Sequence, residues 1–100
     1  MKNTEHATRP AGLRTWIEID ESAFAHNYRA LRGLLKPETL FMAVVKSNAY
    51  GHSLHETAKI FEKLAADWIG VDSIVEAEAL REAGIQKPLF VLGLTLPEKI

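Results

Sequence analysis

The chain has 100 residues, 47% of them hydrophobic and 25% charged, the balance of a folded globular protein rather than a disordered one. Twelve Lys and Arg against thirteen Asp and Glu leave a formal net charge of -1, which offers no global field for nucleic acid or for an anionic membrane, so neither is expected as a partner. The absence of cysteine excludes disulfides, thiolate nucleophiles and sulfur-ligated zinc together, and it fits a cytoplasmic location.

Residues Met1 to Arg14 are mostly polar or small, include Pro10 and Gly12, and lack the apolar core of a secretory signal; a flexible leader is expected over residues 1–14, with the folded part over 15–100. The longest apolar run, Leu40 to Val45, is six residues, far short of the ~20 needed to cross a bilayer, so a soluble protein is expected. After Trp16, Ile17 and Ile19 alternate with Glu18 and Asp20, the pattern of a short strand. Asp20 or Ser22 can then cap a helix from Glu21 to Leu35, with Phe24, Tyr28, Leu31 and Leu35 at helical spacing and Lys36-Pro37 ending it.

Leu40 to Val45 reads as a strand buried on both faces, with Lys46 at its carboxyl end. Beyond the loop Ser47 to Gly51, residues Leu54, Ala58, Phe61 and Ala65 mark an amphipathic helix. Trp68 to Val71 is a second buried-type strand, and Ser73 with Glu76 three residues on has the spacing of a capping box opening a helix whose inner face is Ala77, Leu80 and Ala83. Gly84 suits a left-handed residue just past that helix, and Pro88 precedes a third apolar run, Leu89 to Leu92. Trp16, Trp68 and the phenylalanines are expected in the core.

The resulting order, β, α, β, α, β, α, β, implies right-handed crossovers and a parallel sheet, hence an α/β fold. A Rossmann-like sheet and a (β/α)8 barrel both begin this way; a closed barrel needs about 200 residues or more, so this chain supplies only its first units.

Ligands of parallel α/β folds bind beyond the carboxyl ends of the strands, where Lys46 stands. A partly desolvated lysine there is a nucleophile able to form an imine with a carbonyl, and a lysine in the same place can equally end a strand and extend its ammonium to water. Asn48, Tyr50, Gly51 and His52 crowd the following loop. Gly51 can adopt positive φ, Tyr50 can donate to an anionic group and Asn48 can accept from backbone amides. His52 and His55, three apart, have a spacing open to metal, but no third ligand accompanies them, so no metal site is expected and both read as solvated or helix-capping residues. Asp67 and Asp72 flank the second strand; Asp72 reads as a cap for the following helix.

The run Ala43-Val-Val-Lys-Ser-Asn-Ala-Tyr-Gly-His52 resembles the cofactor-attachment motif of alanine racemases, Ala-Val-Val-Lys-Ala-Asn-Ala-Tyr-Gly-His-Gly. Ile17-Glu-Ile-Asp20, His26-Asn-Tyr-Arg29 and Glu78-Ala-Leu-Arg-Glu-Ala-Gly-Ile85 are similar to other segments of that family, so the resemblance runs from Thr15 to about Leu94. It implies a (β/α)8 barrel of which this chain is the amino-terminal part, with pyridoxal 5'-phosphate held by Lys46 as a Schiff base. Lys46 would then also remove the α-proton of D-alanine, and Tyr50 would hydrogen-bond the cofactor phosphate. The same resemblance implies a cytoplasmic homodimer that interconverts L- and D-alanine for peptidoglycan, with a second acid-base, a tyrosine, supplied by a partner subunit. It also implies that the present residues alone are inactive and marginally soluble. Ser47 and Ser53 depart from the motif's alanine and glycine without touching the imine chemistry, although Ser53 bears on where the next helix starts. The alternatives are a non-catalytic cofactor-binding protein, an amino-acid decarboxylase or another amino-acid racemase of the same barrel family, and a cofactor-free Schiff-base aldolase; Asn48-Ala-Tyr-Gly-His52 favours the alanine racemase over the binding protein and the decarboxylase.

Overall fold

The computed structural model describes residues 11–100. The expected leader, including Pro10, lies mainly outside them. Helix α1 (Glu21–Arg32) leads to strand β1 (Met42–Val44) and a tight five-residue turn, α2 (Lys46–Tyr50); helix α3 (Leu54–Lys63), strand β2 (Trp68–Val71), helix α4 (Ile74–Glu82), strand β3 (Leu89–Val91) and a final 3-10 turn (Pro97–Lys99) follow. The three strands lie side by side in chain order, all parallel, with Ala43 beside Ile69 and Ile69 beside Leu89. Consecutive parallel strands joined by helices are the α/β arrangement expected from the sequence.

The expected first strand does not form: residues 15–20 are irregular and Ile17 is exposed. Among the described residues no strand lies beside this segment, and alternation of side chains cannot make a strand without a neighbour for its amides. Asp20 does cap α1, its Oδ1 accepting from the amides of Ser22 and Ala23 at 3.0 and 3.2 Å and from the Ser22 hydroxyl at 2.7 Å. That hydroxyl bond, then the amide bonds, lower the carboxyl pKa below its usual value. The helix ends at Arg32, before Leu35, and Arg32 turns back to donate to the carbonyls of Pro37 and Thr39, closing the loop into β1.

One face of the sheet carries the core. Val45, Ile69 and Val71 are fully buried against Leu54 and Ala58 of α3, Ala77 and Leu80 of α4, and Ile85. Each buried Val, Leu or Ile side chain among them contributes roughly 1.5–3 kcal/mol by leaving water. A smaller cluster joins Tyr28 of α1 to Ala43 and Ala66, with the Tyr28 and Phe41 rings 4.7 Å apart. The Asp67 carboxylate accepts from the Phe41 amide at 2.7 Å and so ties the entries of β1 and β2 together.

The other face of the sheet is open, which corrects the expectation that the Leu40–Val45 strand is buried on both sides. Leu40, Met42, Val44, Phe90 and Leu92 are all exposed. A continuous apolar run says that both faces are apolar; the helices described here cover only one. Gly70 sits in the middle of the open face, and a Cβ placed there would lie 3.0 Å from Met42 Sδ, 3.3 Å from Val44 Cγ2 and 3.4 Å from Leu92 Cδ1. Trp16 and Phe90, expected in the core, are exposed, whereas Phe24, Phe41 and Phe61 are partly buried. Leu31, Leu35 and Ala65 also lie outside the core; Ala65 falls beyond α3 at φ +68°.

Candidate active site

Lys46, Asp72 and Gly93 follow the carboxyl ends of β1, β2 and β3, the edge of the sheet where connecting loops converge. Immediately after Lys46 the backbone does something that no glycine or proline announces. Ser47, Asn48, Ala49 and Tyr50 all have φ between +53° and +56°, a left-handed turn built from four non-glycine residues. The left-handed region costs an L-residue about 1–2 kcal/mol, so four in succession persist only where the surroundings hold them.

Those holding contacts account for nearly every residue of the run. The Ala49 amide donates back to the Val45 carbonyl at 2.8 Å, and the Ala49 methyl is buried in the main core. Asn48, a residue type that tolerates positive φ, turns its Oδ1 to the Leu54 amide at 2.8 Å and so caps α3 from six residues away. This is needed because Ser53, at the N-cap position itself, sits at φ +82° and makes no side-chain cap. Gly51 takes φ +92°. His52 lies 2.9 Å by Nδ1 from the Ala49 carbonyl, which can only accept, so Nδ1 carries the proton; its ring meets Phe24 edge-on at 5.5 Å. His52, exposed as expected, is thus also a structural tie, and it precedes α3 while His55 lies within it.

The last tie comes from a distant part of the chain. Ser73 caps α4 with its hydroxyl accepting from the Glu76 amide at 3.3 Å, so the cap is Ser73 and not Asp72, because the Ser73 hydroxyl is the group that reaches the amide three residues on. Glu76 does not complete the expected reciprocal box. Its Oε1 accepts from the Asp72 amide at 2.7 Å and its Oε2 from the Ser47 amide at 3.0 Å. Sequence spacing marked Glu76 as a capping residue and gave no sign of this second partner, 29 positions away. Gly93 was also missed: its amide donates to the Asp72 carbonyl at 3.0 Å, and a Cβ there would stand 2.4 Å from that oxygen.

Lys46 and Tyr50 thus open and close one turn, the lysine half-buried and the phenol 63% exposed. The Lys46 amine has no hydrogen-bond or ion-pair partner among the described residues. An unengaged amine and an exposed phenol on a rigid turn suit a ligand with one electrophilic carbon and one anionic group. Among the described residues, no group of three or more His, Cys, Asp and Glu side chains converges to hold a metal ion. No helix of the described chain is long and apolar enough to cross a membrane.

The family model for the alanine racemase N-terminal domain matches residues 19–100, which spans the sheet, the turn and helices α1, α3 and α4. The chain belongs to the alanine racemase family. It is similar to alanine racemases of Synechocystis, 43% identical over 87% of this chain and 24% of the relative, and of Nostoc, 46% identical over 87% of this chain and 23% of the relative. Among solved structures, the crystal structure of alanine racemase from Bacillus anthracis with bound L-Ala-P superposes on 92% of this chain and 24% of its own, with a TM-score of 0.86 and 37% identity. The chain therefore spans about a quarter of the length of the alanine racemases it matches. Its three strands and their helices are part of the TIM barrel of the alanine racemase N-terminal domain, and the Rossmann-like alternative is set aside.

Proposed function

We propose that this chain is the amino-terminal part of the pyridoxal 5'-phosphate-binding barrel of an isomerase that interconverts L-alanine and D-alanine. The observation that carries the reading is the Lys46 amine, unengaged among the described residues, at the carboxyl end of β1 on a left-handed turn held by hydrogen bonds to Val45, His52, Leu54 and Glu76. The donor set fits the cofactor: an amine for its aldehyde and, four residues on, a phenol for its phosphate.

When bound, pyridoxal phosphate supplies an electron sink for the charge left as alanine loses its α-proton. Lys46 would hold the cofactor through Nζ and would take the α-proton of the D-enantiomer at that nitrogen. Tyr50 would donate its hydroxyl to the phosphate. The hydrogen-bonded turn would fix the point from which the Lys46 side chain leaves the backbone, and positioning of that kind can contribute more than basicity alone. Inversion needs a second proton carrier on the opposite face of the substrate; in this reading it comes from the partner subunit of a homodimer. The substrate is the small amino acid alanine, the location is the cytoplasm and the D-alanine serves peptidoglycan. Residues 1–14 form a leader, and residues 15–100 the start of the barrel domain.

The test is an absorbance spectrum of the full-length gene product with pyridoxal phosphate, before and after borohydride, with Lys46→Ala as control. A visible band in the wild type that borohydride fixes to the protein, and that the variant lacks, supports the reading; assays with D- and L-alanine follow. A wild type that takes up no cofactor overturns it.

A further inference from the structure

Glu76 is the first-turn residue of α4 whose two carboxylate oxygens serve two backbone amides at the carboxyl ends of two different strands, Asp72 after β2 and Ser47 after β1. The Ser47 amide is the peptide group joined to Lys46, so its orientation sets where the lysine side chain leaves the backbone. Ser47 is also the first of the four left-handed residues, the point at which the turn would relax toward ordinary backbone if released. The two amides are served by different oxygens of the one carboxylate, and a primary amide of the same length carries only one oxygen to offer them.

From this juxtaposition we propose that Glu76 is the positioning residue for Lys46: it latches the left-handed turn to the β2–α4 corner and so keeps the amine aimed at its ligand. The proposal rests on the reading of Lys46 as the cofactor-holding residue, and it assigns a role to a side chain whose two carboxylate oxygens are both taken up by backbone amides.

The experiment compares Glu76→Gln with Ser73→Ala in the full-length protein. Ser73→Ala removes the cap of the same helix and leaves the Ser47 amide paired, so it reports what simple loosening of α4 does. Two readouts are taken: hydrogen exchange of the peptide covering residues 47–50, and pyridoxal phosphate capture, with the borohydride-fixed label mapped to its lysine. In Glu76→Gln, exchange of that peptide should rise and capture at Lys46 should weaken about tenfold, the change expected from losing one charge-assisted hydrogen bond. Ser73→Ala should lower the melting temperature and leave both readouts at the wild-type level. Unchanged exchange in Glu76→Gln, or equal loss in both variants, overturns the proposal. If the wild type captures no cofactor, the functional reading fails by itself, and the exchange data still decide whether Glu76 latches the turn.

Discussion

Asn48→Ala removes two things at once, and the structure lets them be separated. The side-chain oxygen caps α3 through the Leu54 amide at 2.8 Å, and no other side chain takes that position because Ser53 makes no cap bond. Loss of such a cap costs about 1 kcal/mol. The residue also sits at φ +56°, where alanine is worse than asparagine by about 1 kcal/mol. The sum, about 2 kcal/mol, is a large share of a typical domain's stability. Urea unfolding of the full-length protein, followed by circular dichroism, measures it. Asn48→Asp keeps both the acceptor and the tolerance of positive φ and should unfold with the wild type. Asn48→Gly keeps only the backbone freedom and should lose about 1 kcal/mol. The reasoning is refuted if Asn48→Ala unfolds at the wild-type midpoint, or if Asn48→Gly falls as far as Asn48→Ala.

Gly93→Ala should destabilise by about 1–3 kcal/mol, because the new Cβ meets the Asp72 carbonyl oxygen at 2.4 Å and neither backbone can yield freely; an unchanged urea midpoint would show that the β2 and β3 ends are not held so closely. Acid should loosen α1 through Asp20, whose folded-state pKa is lowered first by the Ser22 hydroxyl and then by the Ala23 and Ser22 amides. A lowered folded-state pKa means that the contribution is fully present above the unfolded value of about 3.9 and is lost as pH falls through the folded value. The stability difference between wild type and Asp20→Asn should accordingly shrink in that acid range, and a difference that is flat with pH would count against the cap.

The parts of the fold legible in the sequence were those written in side-chain polarity. Trp68–Val71 appears in the structure with the bounds that its apolar run suggested, and Gly84 takes φ +94° just past α4. Ile17–Asp20 failed as a strand because pattern describes a face and not the partner that must lie beside it. The site was legible in its residue types and illegible in its backbone. Asn48 and Gly51 signalled special geometry, but Ser47, Ala49 and Tyr50 carry no local preference for positive φ, and they are held there by contacts from elsewhere. Glu76 shows the same limit, since a capping-box spacing identifies a carboxylate near a helix start and does not say which amide it reaches.

Gly70 has an implication for how this sequence can change. It lies in register between Val44 and Phe90, with Met42 and Leu92 leaning over the space its absent side chain leaves. In a barrel, alternate strands fill the interior layer by layer, so the room at any level is shared among neighbouring strands. Positions 42, 44, 70 and 92 therefore form a single volume account: a larger residue at 70 is tolerated only alongside a smaller one at 42, 44 or 92, and related sequences should show these sites trading bulk in concert while their summed size stays nearly fixed.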